Sequence, residues 1–203
     1  MAKVIKFPVP APEKFGLQRV RKKKGTTEKP AVDKQGQLNL FSGGKVVSLN
    51  QLTTFEEALV FDERGDMDTA RSRYLLAIEK GDALADAYCN LGILEFRQNN
   101  TTKAIDYFTL SLRHEPRHFE AHYNLANLYA EVGNFPLAKI HYKVSIEIEP
   151  SFPNSYFNLG LALAMNKEFA DAIQALNQYR LLTPTTEHAH ADELIRTMSL
   201  GKN

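Results

Sequence analysis

The chain has no tryptophan and a single cysteine, Cys89, among its 203 residues. One thiol closes no internal disulfide, so a secreted, disulfide-stapled scaffold is excluded and a reducing compartment fits. No apolar run approaches the roughly 20 residues that span a bilayer. Residues 1–12 are broken by Pro8, Pro10 and Pro12, leaving no continuous apolar core for a secretory signal. These absences lead to the expectation of a soluble, cytoplasmic protein with no membrane contact. Catalytic signatures are missing too. There is no glycine loop to cradle phosphate and no Gly-x-Ser-x-Gly nucleophile turn. We expect no enzyme, no cofactor and no metal.

Cationic charge is scarce in one part of the chain and abundant in another. The net charge of +1 hides a split. Residues 1–50 carry eleven Lys/Arg against three Asp/Glu, a net of +8, and residues 51–203 carry a net of −7. A basic arm precedes an acidic body.

What the body has is a period. Pro116, Pro150 and Pro184 stand 34 residues apart. With each proline at position 32 of a unit, units begin at Gln51, Ala85, Phe119 and Pro153. Position 20 is Ala70, Ala104, Ala138 and Ala172. Position 8 is Ala58, Gly92, Ala126 and Gly160, and position 24 is Tyr74, Phe108, Tyr142 and Leu176. Small residues where two antiparallel helices cross let the backbones approach, and a large apolar group fills the space beside them. Position 27 is Ala77, Ser111 and Ser145 but Tyr179 in the last unit. Gly65-Asp66, Asn99-Asn100, Gly133-Asn134 and Asn166-Lys167 mark the turn inside each unit, since glycine and asparagine accept the left-handed conformation that ends a helix. Pro136 suits a first helical turn, and the proline at position 32 stops the second helix.

Together these residues resemble the tetratricopeptide repeat, over residues 51 to about 186. The match is Leu91-Gly92, Ala104, Phe108 and Pro116 in the second unit, and Leu125-Ala126, Tyr129, Gly133, Ala138, Tyr142 and Pro150 in the third. Leu159-Gly160, Ala172 and Pro184 carry it in the fourth. The first unit diverges, with Glu57 for the usual leucine and Asp82 for the proline. The resemblance implies an all-α, right-handed α-solenoid of four helix-turn-helix repeats (51–84, 85–118, 119–152, 153–186). Residues 187–203 would supply a capping helix with apolar Ala189, Leu194, Ile195 and Met198, followed by a short tail. Residues 1–50, rich in Lys, Pro, Gly and Gln, are expected to be a disordered arm.

The resemblance further implies a concave groove lined by the first helix of each unit. Phe55, Cys89, Tyr123 and Phe157 occupy position 5; Asn127 and Leu161 stand at position 9 and Phe96 at position 12. Position 6 is Asn90, Asn124 and Asn158. An asparagine amide offers donor and acceptor together, the complement of a peptide backbone. The array is similar to the asparagine ladders with which some family members hold peptides; the alternative is ordinary repeat filler. A carboxylate clamp needs basic residues at positions 2, 5 and 6, and none is there. Acidic Asp62, Glu63, Asp86, Glu120 and Glu131 suggest instead a ligand with apolar anchors and some positive charge.

The arm holds two segments of interest. The basic patch Arg19, Arg21, Lys22, Lys23 and Lys24 could touch nucleic-acid phosphates or an acidic protein, or simply be a solvated charge run. Gln37, Leu38, Asn39, Leu40 and Phe41 resemble the short motif by which bacterial replication and repair proteins dock on the sliding clamp; Asn39 departs from the usual Ser or Asp. Residues 42–50 would reach about 30 Å if extended, so the arm could also fold back over its own groove. His114, His118 and His122 are spaced by four but straddle Pro116. We read them as surface histidines rather than metal ligands. The expected function is a non-catalytic adaptor that holds a peptide or partner protein in its groove, with a second contact through the arm. The alternative is a replication or repair factor docking on a clamp or nucleic acid through the basic arm. The oligomeric state is left open.

Overall fold

The computed structural model describes Gln18, Val20 and residues 52–200. The described body is all-helical. α1 (Thr54–Glu63) and α2 (Met67–Glu79) form the first hairpin, α3 (Leu84–Arg97) and α4 (Thr101–His114) the second. α5 (Phe119–Glu131) with α6 (Phe135–Ile148) and α7 (Pro153–Met165) with α8 (Phe169–Leu182) form the third and fourth. A short 3₁₀ turn (Thr185–Glu187) leads into α9 (Ala189–Leu200), which packs on α8. The first helices α3, α5 and α7 touch in succession, so they form one continuous row.

Close packing explains the period. Ala58, Ala70, Ala104, Ala126, Ala138 and Ala172 are all fully buried, as are Tyr74, Phe108, Tyr142 and Leu176. A Cβ placed on Gly92 would lie 2.7 Å from Phe108 Cε1, and one on Gly160 would lie 2.8 Å from Leu176 Cγ. Real carbon contacts sit near 3.5–4.0 Å, so these two positions have no room for a side chain. Two apolar clusters run along the stack and both include Tyr129, on α5, as a bordering residue.

Helix ends follow local chemistry. α4, α6 and α8 each stop two residues before Pro116, Pro150 and Pro184, where the residue preceding a proline is pushed to extended backbone. Thr53 caps α1 through a reciprocal box with Glu56. Asp82, which stands where the other units have proline, accepts a 2.8 Å hydrogen bond from the Phe55 amide in the first turn of α1. It satisfies a donor that the helix itself leaves unpaired.

The turn in the fourth unit differs from the expectation. Inside the four units, the left-handed turn residues are Gly65, Asn99, Gly133 and Lys167, at φ +81°, +61°, +79° and +64°. Asn166 is at φ −82°. The repeat register, rather than the preference for asparagine, fixes which residue turns, and here it forces a lysine into a conformation that costs about 1 kcal/mol. Lys167→Gly should therefore stabilise the chain by up to about 1 kcal/mol, read as a higher midpoint in urea with unchanged slope.

Candidate functional site

The row of first helices carries the position-6 asparagines inward. Asn90 on α3 and Asn124 on α5 are fully buried, and Asn158 on α7 nearly so. Asn124 Oδ1 accepts the Gln18 amide at 2.5 Å, while its Nδ2 donates to the Gln18 carbonyl at 2.7 Å. Asn90 Oδ1 accepts the Val20 amide at 3.2 Å, and its Nδ2 donates to the Val20 carbonyl at 3.4 Å. Two alternate residues of the arm thus each present both backbone groups to one asparagine. In extended chain the N–H and C=O of residues i and i+2 point the same way, so the rungs read backbone and ignore side chains. Val20 is 4% exposed and belongs to the apolar cluster that includes Phe55, Tyr74, Cys89 and Ile93.

A second layer orients Asn90. Tyr74 donates its hydroxyl proton to Asp62 Oδ2 at 3.3 Å, and its oxygen then accepts from Asn90 Nδ2 at 3.2 Å. Arg97 holds the other oxygen of Asp62 at 3.1 Å. This chain fixes the amide so that Oδ1 faces the arm. Position 24 of the second unit is Phe108, which has no hydroxyl, and Asn124 instead donates to Cys89 Sγ at 3.6 Å. Burial, reinforced by the charges of Glu120 and Asp86, pushes the Cys89 thiol well above its ordinary range, so it stays protonated and inert.

Asn158 behaves differently from its two counterparts. Its Nδ2 donates to Tyr123 Oη and to Asn127 Oδ1, both at 3.0 Å, and Asn127 Oδ1 also accepts from Tyr142 Oη at 2.6 Å. The third rung is tied into the repeats themselves. Burial pushes the Tyr123 phenol up to about 12, which leaves it neutral there.

Of the other residues singled out in the sequence, Phe55, Tyr123 and Leu161 are buried, and Phe96 and Phe157 are half-buried against the apolar clusters. Phe157 packs on Tyr179, ring centroids 5.0 Å apart. The acidic set loses Asp62, which is 2% exposed and committed to Tyr74 and Arg97; Asp86 pairs with His118 at 2.8 Å. The arm segment Gln37, Leu38, Leu40 and Phe41 and the basic residues Arg19, Arg21, Lys22, Lys23 and Lys24 lie outside the described residues.

The histidine expectation is corrected. His118 and His122 are buried, at 3% and 8% exposure. His118 caps α5 by accepting from the Ala121 amide, and His122 pairs Nε2 with the Pro116 carbonyl and Nδ1 with His141 Nδ1 at 2.9 Å. Burial and the facing His122 pull His141 down to about 4, and burial lowers His122 as well. Both are therefore neutral when folded. An unfolded histidine titrates near 6.5, so stability is complete above that pH and falls as the pH drops from 6.5 towards 4. The melting temperature should decline across this window, and His141→Gln should decline less.

The stacked helix pairs and their inner row of side chains define a helical-repeat protein. The chain belongs to the tetratricopeptide-repeat family: family profiles match residues 55–113, 89–153 and 141–174. Members of that family are typically non-catalytic. Among known proteins, it is 24% identical over 135 residues, 66% of this chain, to the BBSome complex member BBS4 of Bos taurus. It is 23% identical over 122 residues, 59% of this chain, to general transcription factor 3C polypeptide 3 of Homo sapiens. The matches span 26% and 14% of those proteins. Among solved structures, MamA from Desulfovibrio magneticus RS-1 aligns with TM-score 0.60 at 17% identity, over 73% of this chain and 93% of that one. YrrB, described as having an unusual peptide-binding site, aligns with TM-score 0.59 at 16% identity, over 70% and 73% of the two chains. The first repeat domain of Spaghetti, solved with an HSP90 peptide, aligns with TM-score 0.55 at 19% identity, over 59% and 93%. Among the described residues, no helix is long and apolar enough to cross a membrane.

Proposed function

We propose that this chain is a protein-interaction module that holds an extended peptide of a partner protein along α3 and α5. Asn90 and Asn124 grip its backbone, and the apolar surface around Phe55 and Ile93 takes a side chain. The observation that carries this reading is the pairing of both asparagines with the N–H and C=O of Gln18 and Val20. A buried amide that bonds both groups of a peptide unit is poised for main chain of any sequence. Peptide binding by YrrB and by the Spaghetti repeat domain supports a ligand of this class. The basic residues that a carboxylate clamp needs are missing, so an acidic C-terminus is not the ligand. We include in the proposal a second contact through Gln37–Phe41, with a sliding clamp as its candidate partner.

Selection from a displayed library of random peptides against the full chain tests the groove. Selected peptides should bind Asn90→Ala/Asn124→Ala far more weakly than the parent chain, with little dependence on salt. Equal affinity for the double variant would place their site elsewhere. A steep fall with salt would favour a phosphate-binding role for the basic arm.

A further inference from the structure

The contact at Gln18 and Val20 has a direction. The arm meets Asn124 of the third unit at Gln18 and Asn90 of the second unit at Val20, so it runs towards the first unit, opposite to the order of the repeats. The chain leaving Val20 must next reach α1, which begins the first unit at Thr54. Residues 21–51 cover that path with ease, since each extended residue spans about 3.4 Å. The polarity suits a segment seated in its own molecule's groove.

The occupancy is also complete at both rungs. All four bonds that the two asparagines make to the arm go to main-chain atoms, and Val20 is buried with the apolar cluster around Phe55 and Tyr74. A visiting extended peptide would need the same four bonds and the same apolar space. The basic sequence around Val20 has a net charge opposite to that of residues 51–203, which favours the closed arrangement at low salt.

We propose that Gln18 and Val20 are a built-in occupant of the groove that competes, within one molecule, with partner peptides. This rests on the reading of the groove given above and adds its regulation. The ligand it defines is an extended peptide with an aliphatic, β-branched residue two positions after the residue on Asn124, running against the repeat order. A tether of this kind gives an effective concentration of about 1 mM. For an arm sequence that binds with a Kd of about 0.1 mM, the competition weakens an external peptide roughly tenfold.

The test uses the full chain and a fluorescent peptide of residues 14–24 as the probe. Gln18→Pro/Val20→Pro removes the two amide donors of the arm and leaves the repeats untouched. An unchanged melting profile of the repeats serves as the control. This variant should bind the probe about ten times more tightly than the parent chain, and adding Asn90→Ala/Asn124→Ala should abolish the gain. Equal binding to both chains would overturn the competition while leaving the groove as a peptide site. Failure of the proline variant to bind the probe at all would overturn the groove reading with it. If the parent chain sediments as a dimer and the proline variant as a monomer, the arm sits in a second copy and the intramolecular competition is wrong.

Discussion

Gly92→Ala should destabilise the chain by about 2 kcal/mol, although alanine is the better helix former by about 1 kcal/mol. The added Cβ would stand 2.7 and 2.8 Å from two carbons of Phe108, whose ring is fully buried and has nowhere to move. Overpacking of this sort costs about 1–3 kcal/mol, and a clash with a ring on the facing helix falls at the upper end. For a body of this size, the expected fall in melting temperature is about 4–8 °C. Gly65→Ala is the informative contrast. It has open space around it and loses only through its φ of +81°, about 1 kcal/mol. Gly92→Ala combined with Phe108→Leu should recover part of the loss, because the smaller side chain gives the new methyl room. No loss in Gly92→Ala alone would mean that the first and second helices of this unit do not approach as described.

In the Gln18→Pro/Val20→Pro chain, whose arm no longer competes, Asn90→Ala/Asn124→Ala should weaken peptide binding about 100-fold. Four hydrogen bonds to main chain are removed. At a net 0.5–1.5 kcal/mol each, about 3 kcal/mol is lost in total, and each 1.4 kcal/mol is a factor of about 10. Asn158→Ala separates this from a general effect of losing asparagine. Its amide bonds Tyr123 and Asn127, within the repeats, so its removal should cost stability, about 1–3 kcal/mol for partners left buried, and change affinity less than threefold. Tyr74→Phe adds a third arm. It removes the hydroxyl that orients Asn90, and should weaken binding several-fold with Asn90 still present.

The period of 34 made the fold legible because the constraints behind it are local and repeated: a small residue at each helix crossing, a bulky one beside it, a proline after each second helix. Where a constraint was not local, reading along the chain went astray. Lys167 turns left-handed because the repeat register demands it, against its own preference. His118 and His122 are buried because α5 packs against its neighbours, which charge and spacing do not reveal. The position-6 asparagines stood out by residue type and register. Their division into two rungs that meet the arm and one tied to Tyr123 and Asn127 follows from the preceding unit: Tyr123 and Asn127 stand where the units before Asn90 and Asn124 have Phe55 with Leu59 and Cys89 with Ile93. Polar residues at positions 5 and 9 of the third unit were the available signal. The arm contact at Gln18 and Val20 had none, because an asparagine that reads backbone imposes no pattern on the side chains it holds.

Amide hydrogen exchange in the full chain, followed residue by residue by NMR, reads whether the two asparagines hold the arm's main chain. The Gln18 and Val20 amides each donate to a buried asparagine oxygen. They should exchange at least about tenfold more slowly than free peptide amides, and lose that protection in Asn90→Ala/Asn124→Ala. Exchange of both amides at the free-peptide rate in the parent chain would mean that the asparagines do not hold extended main chain.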